Sequence, residues 1–260
     1  MSVVASFGTR CRVGLPFRIN RMSNPSTPRV CIVTGAGRRI AQGIAEAFAG
    51  QGDAVSVIDL MQERANETAK SICDAGGKAI AIAADLGDEG QVQRAVASTI
   101  EAFGHVDVLI NAAGGYGKAF RATHETPVEE WDLVFDSNLK GTFLFAKAVL
   151  PHMMAQNSGC IVNFSSNAGR QTSPLLGASY TAVKAGVIGF TRHLSQEYGR
   201  YGIRVNTIAP GPVNGDRVDE LMGGREKTEA LIQQIPLGRL AEPEDISDAV
   251  IFLASDKAVS

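Results

Sequence analysis

A regular alternation of short apolar runs with longer amphipathic stretches begins at Arg29, and it constrains this chain more than any other feature of the sequence. Each run is almost continuously apolar, as strands are when helices cover both faces of their sheet. Alternation of this kind is typical of βαβ units joined into a parallel sheet. We therefore predict an α/β fold, a doubly wound parallel sheet flanked by helices, with a ligand crevice at the carboxyl ends of the strands.

The runs predict six strands, and the stretches between them predict helices. The strands are residues 30–33, 54–58, 79–83, 106–110, 160–164 and 203–208. Asp88, followed three residues later by Gln91, resembles a capping box, in which two side chains bond each other's backbone N–H groups at a helix start. Pro127 and Pro243 suit the first turn of a helix, where a missing N–H group removes no helical hydrogen bond.

Length and composition favour one globular domain. A chain of 260 residues fits a single α/β domain, which we assign to residues 29–260. Its hydrophobic fraction of 45% and charged fraction of 20% are typical of globular proteins. No apolar run approaches the roughly 18 residues that a membrane-spanning helix needs. These values exclude a disordered chain and a membrane protein.

Charge and metal-ligand spacing narrow the function further. The formal net charge is -2 and no basic stripe is present, so we expect no nucleic-acid partner. The cysteines form no C-x-x-C pair and the histidines have no partner at ligand spacing, so we expect reduced thiols, a cytoplasmic location and no metal site. These residues are Cys11, Cys31, Cys73, Cys160, His105, His124, His152 and His193.

Residues 1–28 have a different composition. They contain four arginines and several serines but no acidic residue. This composition resembles an organelle transit peptide. The alternative is a disordered upstream extension, with Met22 as the true start. If residues 1–21 are a transit peptide, the location is an organelle matrix and not the cytoplasm.

The first predicted strand leads into a glycine-rich turn that reads Thr-Gly-Ala-Gly-Arg-Arg-Ile-Ala from residue 34 to residue 41. A turn of this kind brings backbone N–H groups and a helix N-terminus to a pyrophosphate. Glycine in a tight turn is weak support alone, because the backbone conformation can require it. Its place after strand one favours a Rossmann-like dinucleotide site with Gly35, Arg38, Arg39 and Ile40 as candidate contacts.

Polar and small residues follow the next strands at the same edge of the sheet. Asp59 ends strand two, where a carboxylate accepts hydrogen bonds from a ribose diol and repels a 2′-phosphate, unless it is merely a solvated strand end. Asp85 is a candidate acceptor for an adenine amino group. Small side chains after strand four would let a cofactor lie against the backbone. The further candidates of this set are Leu86, Asn111, Ala112, Ala113 and Gly114.

Tyr180 and Lys184 are four residues apart in a predicted helix, so their side chains share one face. A free phenol has a pKa of about 10 and is a poor proton carrier at neutral pH. One positive charge about 4 Å away stabilises the phenolate by roughly 4 kcal/mol at an effective dielectric constant near 20, so Lys184, helped by an oxidised nicotinamide, is enough to bring that pKa to about 7. The alternative is an ordinary aromatic–cation pair on a helix surface.

A serine pair, Ser165 and Ser166, ends strand five at the crevice, where a hydroxyl can bond the substrate oxygen that Tyr180 protonates. From about Arg29 to its end, the chain now resembles the short-chain dehydrogenase/reductase family. This resemblance implies an oxidoreductase that transfers a hydride between NAD(H) and a secondary alcohol or ketone.

The resemblance also implies individual roles. Asn138, in Asn-Leu-Lys-Gly, matches an asparagine that interrupts helix four and holds a proton-relay water. Ser166 matches the substrate-orienting hydroxyl, although the loop after it is one residue longer than usual and leaves Ser165 open. Tyr180 matches the general acid/base, and Lys184 lowers its pKa and binds the nicotinamide ribose. The loop that meets the carboxamide contributes Pro210, Gly211 and Val213.

Three positions depart from the family pattern. Arg39 and Ala41 replace the last two glycines of T-G-x-x-x-G-x-G, and Ala112 replaces an asparagine. Pteridine reductases are similar in having arginine at the first position, and Arg38 with Arg39 would favour NADP. Because Asp59 favours NAD, we expect NAD as the cofactor, with NADP as the alternative.

We expect the end of the chain to affect the contact between subunits and three loops near the crevice to line the substrate site. Family members continue past the position of Ser260 into a seventh strand that packs between subunits, so we expect a sheet without that strand. The resemblance also implies a homo-oligomer, dimer or tetramer, whose subunit contact would lack this strand. The walls of the substrate site fall in residues 115–122, 171–176 and 213–226. Alternative functions are a dinucleotide-binding sensor or inactive homologue, a nucleotide-sugar epimerase and a methyltransferase.

Overall fold

The structure is a computed structural model, and it describes residues 28–173, 175–215 and 218–258. The predicted N-terminal extension, apart from its last residue, lies outside the described residues. Parts of two predicted substrate walls, residues 174, 216 and 217, also lie outside them. The division into residues 1–28 and 29–260 therefore stays a prediction.

The sheet has six parallel strands in the order β3-β2-β1-β4-β5-β6. This order is that of a doubly wound fold, and it confirms the predicted fold class. The chain reverses direction across the sheet between β1 and β4, which opens the crevice above their carboxyl ends. The strands are β1 Val30–Thr34, β2 Ala54–Asp59, β3 Lys78–Ala83, β4 Val108–Asn111, β5 Gly159–Phe164 and β6 Ile203–Ile208.

Helices cover both faces of this sheet. The helices are α1 Arg39–Gly50, α2 Gln62–Asp74, α3 Glu89–Phe103, α4 Val128–Phe135, α5 Gly141–Gln156, α6 Gly177–Tyr198, α7 Val218–Met222, α8 Arg225–Ile232 and α9 Pro243–Ala254. A π-helical turn, Asp136–Lys140, joins α4 to α5. No helix among the described residues is long and apolar enough to span a membrane.

Two hydrophobic clusters form the core, one on each face. α1, α2 and α9 pack on one face, and α3, α5 and α6 pack on the other. Successive side chains of a strand point to opposite faces, so Ile32 and Val33 of β1 belong to different clusters. Phe48 and Phe145, both fully buried, are the largest side chains of the two clusters. Burial on both faces explains why the strands read as continuous apolar runs.

Several predicted boundaries needed correction. β4 begins at Val108 and not at residue 106, because the Asp107 carboxylate accepts the Val30 N–H at 2.9 Å where a regular strand ladder would begin. Asp88 caps α3 by accepting the Gln91 N–H at 3.0 Å, as predicted. The reciprocal bond of a capping box is absent among the described contacts of Gln91, whose side chain accepts the Asp85 N–H.

The two proline predictions had different outcomes. Pro243 is the first residue of α9, as predicted. Pro127 precedes α4, which begins at Val128, so it occupies the N-cap position and does not belong to the first turn. Within the described part of the chain β6 forms one edge of the sheet, and the absence of a seventh strand stays a prediction.

Candidate active site

The glycine turn after β1 packs directly on the segment that follows β4. Gly35 has a φ of 69°, in the left-handed region, and a β-carbon placed on it would lie 2.8 Å from Ala113 Cα. Only glycine fits this approach without displacing the neighbouring backbone. Thr34 Oγ1 also accepts the Ala113 N–H at 3.1 Å. The two segments therefore form one floor at the point where the strand order reverses.

Asp59 is buried and holds the glycine turn from the neighbouring strand. Its Oδ2 accepts the Gly37 N–H and its Oδ1 accepts the Met61 N–H, both at 3.1 Å. This structural role was not predicted from the sequence, where Asp59 appeared only as a ribose acceptor. The pairing of Thr34 with Ile58 in the sheet brings the turn and the carboxylate together.

The two arginines of the turn are exposed, but their backbones differ. Arg38 is extended, whereas Arg39 has a φ of 55°, where the family pattern has glycine. A non-glycine residue in this region costs about 1–2 kcal/mol. Ile40 and Ala41 pack against the core cluster beneath α1. Arg39 thus adopts the backbone conformation that glycine would favour at this position of the turn.

The other predicted cofactor contacts lie at the exits of β3 and β4. Asp85 is exposed, and its Oδ1 accepts the Gly87 N–H of its own turn at 2.9 Å. Leu86 is buried. Asn111 is buried, and its Nδ2 donates to Asn163 Oδ1 at 2.9 Å. Ala112 is half-buried and follows Asn111 at the crevice.

The π-helical turn between α4 and α5 contains Asn138, at the place where the resemblance implied an interrupted helix. π-Turns are found frequently at functional sites. Asn138 is buried, and its Nδ2 donates to Val134 O and to Gly115 O, both at 2.8 Å. Its Oδ1 has no hydrogen-bond partner within the described parts of the chain. A β-carbon on Gly114 would overlap this oxygen, so the oxygen lies against the crevice floor.

Tyr180 and Lys184 share one face of α6, as predicted. Lys184 is 3% exposed, and its Nζ donates to Phe164 O, at the end of β5, at 2.8 Å. The same nitrogen lies 5.4 Å from the centroid of the Tyr180 ring. It would also lie 3.3 Å from a β-carbon on Gly114. The lysine therefore connects the exits of β4 and β5 with the tyrosine.

The two serines contact different groups. Ser165 Oγ donates to Lys184 O at 2.8 Å and so faces α6. Ser166 hydrogen-bonds the Tyr180 side chain, and its Oγ accepts the Ala168 N–H at 3.2 Å. Ser166 is therefore the serine on the tyrosine side, and Ser165 is the serine on the α6 backbone side.

Burial dominates the titration of the tyrosine and the lysine. It raises the pKa of Tyr180, the Tyr116 phenol adds to this shift, and the hydrogen bond from Ser166 opposes it. Burial also lowers the pKa of Lys184 to about 8. A lowered tyrosine pKa was predicted with both the lysine and an oxidised nicotinamide present; in the protein without that cofactor, burial gives the opposite direction.

Sequence reasoning did not single out Tyr116. Its ring stands edge-on to the Tyr180 ring, with centroids 6.1 Å apart and an interplanar angle of 87°. An aromatic residue directly after the Gly114-Gly115 pair was the available signal. Residues 115–122 had been assigned to a substrate wall only as a loop.

The loop predicted to meet the carboxamide lies beside the segment that follows β5 and contains Ser165 and Ser166. Pro210 O accepts the Asn167 N–H at 2.9 Å, and Gly211 is exposed. Val213 pairs with Ala241 in an isolated parallel bridge. Two groups of candidates result, one around the β1 and β2 exits and one around the β4 and β5 exits. Among the described residues, no group of histidine, cysteine and acidic side chains could hold a metal ion.

Comparisons with known proteins agree with this arrangement. The family model described as enoyl-(acyl carrier protein) reductase matches residues 35–260. The 2-(R)-hydroxypropyl-CoM dehydrogenase of Xanthobacter autotrophicus is 38% identical over 232 residues, which cover 88% of this chain and 92% of that protein. The 3-oxoacyl-[acyl-carrier-protein] reductase of Synechocystis is 37% identical over 241 residues, which cover 90% of this chain and 92% of that protein.

A solved structure gives the same result. The 3-oxoacyl-[acyl-carrier protein] reductase of Brucella melitensis with bound NAD superposes with a TM-score of 0.82 at 33% identity, and the match covers 90% of this chain and 87% of that one. The span that the family model matches, residues 35–260, includes the glycine turn from Gly35 onward, Ser165 and Ser166, and the Tyr180–Lys184 pair. The chain therefore belongs to the short-chain dehydrogenase/reductase family of oxidoreductases.

Proposed function

We propose that this oxidoreductase transfers a hydride between NAD(H) and a secondary alcohol or ketone, with Tyr180 as the general acid/base. The observation that supports this most is the contact of Ser166 with Tyr180 beside the buried Lys184. A protein that only binds a dinucleotide has no need of this side-chain set. The dinucleotide-binding sensor and inactive homologue are therefore the weaker alternatives.

The residues at the β1 exit fit a dinucleotide. The first turn of α1 contains no acidic residue, and Arg38 at its N-cap makes no side-chain capping bond among the described contacts. Such a helix start suits an anionic pyrophosphate, because its N–H groups and its dipole both favour negative charge. Gly114 has no side chain to cover the floor beside Asn138 Oδ1, an oxygen without a hydrogen-bond partner in the described parts of the chain.

When bound, the nicotinamide supplies or accepts the hydride. In this proposal Lys184 would bind the nicotinamide ribose, and the backbone of the loop that contains Pro210, Gly211 and Val213 would bind the carboxamide. Asp59 would bind the adenine ribose, since each carboxylate oxygen has two acceptor sites and uses one for a backbone N–H.

Tyr180 performs the proton transfer in this mechanism. For reduction, its hydroxyl gives a proton to the carbonyl oxygen, which takes up the electron pair of the C=O double bond as hydride reaches the carbon. Ser166 bonds the same oxygen and orients it. A raised pKa keeps Tyr180 protonated at neutral pH, which suits reduction. Oxidation needs the phenolate, so its rate should rise with pH.

We propose NAD over NADP on the balance of two contacts. A hydrogen bond from a ribose hydroxyl to the Asp59 carboxylate contributes roughly 1.5–3 kcal/mol. An ion pair between an exposed arginine and a 2′-phosphate is typically worth no more than about 1 kcal/mol. A 2′-phosphate would also bring a second negative charge to Asp59. A homo-oligomer and a cytoplasmic location remain proposals.

The test is a steady-state screen of secondary alcohols and ketones against both cofactors, with absorbance of the reduced nicotinamide as the readout. We expect turnover of at least one alcohol–ketone pair, faster with NAD(H). Cofactor binding measured by calorimetry without turnover of any substrate would favour the sensor. No binding of either cofactor would overturn the proposal.

A further inference from the structure

Tyr116 is the one aromatic neighbour that the structure gives to the Tyr180 ring within its described residues. The two rings meet edge-on at 6.1 Å, a separation at which aromatic pairs attract each other. Tyr116 is 36% exposed, so part of its ring remains open. Because this open surface adjoins the Tyr180 ring, a substituent on the reacting carbon of a substrate bound at Tyr180 can pack against it.

The backbone on both sides of Tyr116 is anchored. Gly115 O accepts a hydrogen bond from the buried Asn138 Nδ2 at 2.8 Å. Gly117 lies so close to Glu130 that a β-carbon there would overlap the Glu130 carboxylate. The backbone that bears Tyr116 is therefore held in place before any substrate arrives, which limits the conformational entropy lost when a ligand packs against the ring.

The loop that follows is held at two further points. Arg121 Nη1 and Glu130 Oε2 form an ion pair at 3.0 Å, with both side chains 21% exposed. The Phe120 N–H donates to Leu175 O at 3.0 Å, which links this loop to the loop before α6. Arg121 and Glu130 neutralise each other. This pair therefore does not attract a charged substituent of a substrate to the surface beside Tyr116.

We propose that Tyr116 is a specificity-determining residue whose ring packs against a planar, uncharged aryl or conjugated group on the reacting carbon of the substrate. The inference rests on the proposed function and narrows its substrate class to aryl or conjugated ketones and their secondary alcohols. Aromatic pairs in this geometry gain more than their buried area alone provides, whereas a puckered ring of similar size gains only the area.

The experiment compares acetophenone with cyclohexyl methyl ketone, two ketones of similar size of which only one has a planar ring. We expect kcat/KM of the unaltered protein to favour acetophenone. Tyr116→Leu should reduce that preference by about threefold to tenfold, the range that aromatic pairing provides. Tyr116→Phe should retain it. The matched control Phe252→Leu, the same kind of change on exposed α9, should leave it unchanged.

Calorimetry of each ketone with the protein and reduced cofactor separates this proposal from the proposed function. Binding that favours acetophenone and depends on Tyr116, but without turnover, would support the specificity role and overturn the proposed activity. Turnover without the preference, or an equal loss for both ketones in Tyr116→Leu, would overturn the specificity role. Failure of acetophenone to bind would overturn it as well.

Discussion

The two ends of the crevice are formed by different kinds of contact. Around the β1 exit, the contacts are made by backbone N–H groups, by Gly35 packed on Ala113 and by a carboxylate that holds the turn. Around the β5 exit, they are made by side chains, with Ser166 on Tyr180 and Lys184 beneath them. Apart from Gly35 and Asp59, which fix the turn itself, a site specified by backbone conformation tolerates side-chain change, whereas a site specified by functional groups does not.

The sharpest test of this contrast is Tyr180→Phe, which removes only a hydroxyl. We expect turnover to fall by about 10²-fold to 10⁴-fold, the scale of lost general acid/base catalysis, while cofactor affinity stays unchanged. Steady-state kinetics and calorimetry measure the two quantities. Near-normal turnover would show that the chemical end tolerates change as the nucleotide end does.

Lys184→Met tests the same end through stability. The pKa of Lys184 is lowered from 10.5 to about 8, so the charged form destabilises the folded protein by about 3 kcal/mol below pH 8. The lost hydrogen bond to Phe164 O offsets about 1 kcal/mol of this. We expect the variant to be more stable by about 2 kcal/mol at pH 7, although it is a poorer enzyme.

The sign of the pH dependence is fixed by the direction of the shift. Between about pH 8 and 10.5 the unfolded lysine holds a proton that the folded one has lost, so the unaltered protein gains stability as pH rises. The advantage of Lys184→Met should therefore disappear across this window in urea unfolding. Lys70→Met, at an exposed lysine, should show no such trend. A pH-independent advantage would contradict the assignment.

Asp59→Ala probes the nucleotide end. We expect the preference for NAD over NADP, which we place at one to two orders of magnitude in kcat/KM, to narrow by about tenfold. Affinity for both cofactors should also fall, because the Gly37 N–H loses its acceptor. Asp85→Ala, at an exposed carboxylate predicted to accept from the adenine amino group that both cofactors share, is the control and should leave the ratio intact. An unaltered protein that prefers NADP would reverse the assignment.

Arg39→Gly carries the smallest expected effect. Relief of the left-handed backbone is worth about 1–2 kcal/mol, and the greater chain entropy of glycine offsets about 0.5–1 kcal/mol. Thermal unfolding should therefore show a gain of about 0.5–1 kcal/mol. Arg38→Gly, at an extended residue, should give no gain. A less stable Arg39→Gly would mean that the arginine side chain, and not the backbone, sustains the turn.

Spacing along the chain was enough to predict the strands and the shared helix face of Tyr180 and Lys184. Apolar runs gave five strands to within one residue at each end and a sixth, β4, to within two, because burial on both faces leaves a continuous pattern. Tyr180 and Lys184 share a face because helix geometry alone fixes that relation. Such features depend only on neighbours in the chain.

The remainder depends on residues that are distant in sequence. No local pattern shows that Asp59 holds Gly37, or that Tyr116 meets Tyr180. The choice between Ser165 and Ser166 required the position of α6. The direction of the tyrosine pKa required its burial, which a count of nearby charges does not include.

The π-helical turn Asp136–Lys140 has a consequence for rotation about the helix axis. It holds one more residue than an α-helical turn, and each residue advances an α-helix by about 100°. The buried side of α5 is therefore set out of phase with that of α4, and Asn138 lies where the phase changes. Loss of one residue from this turn would rotate α5 against the sheet, even with every core residue intact. Chain length at this point is as much a part of the fold as residue type.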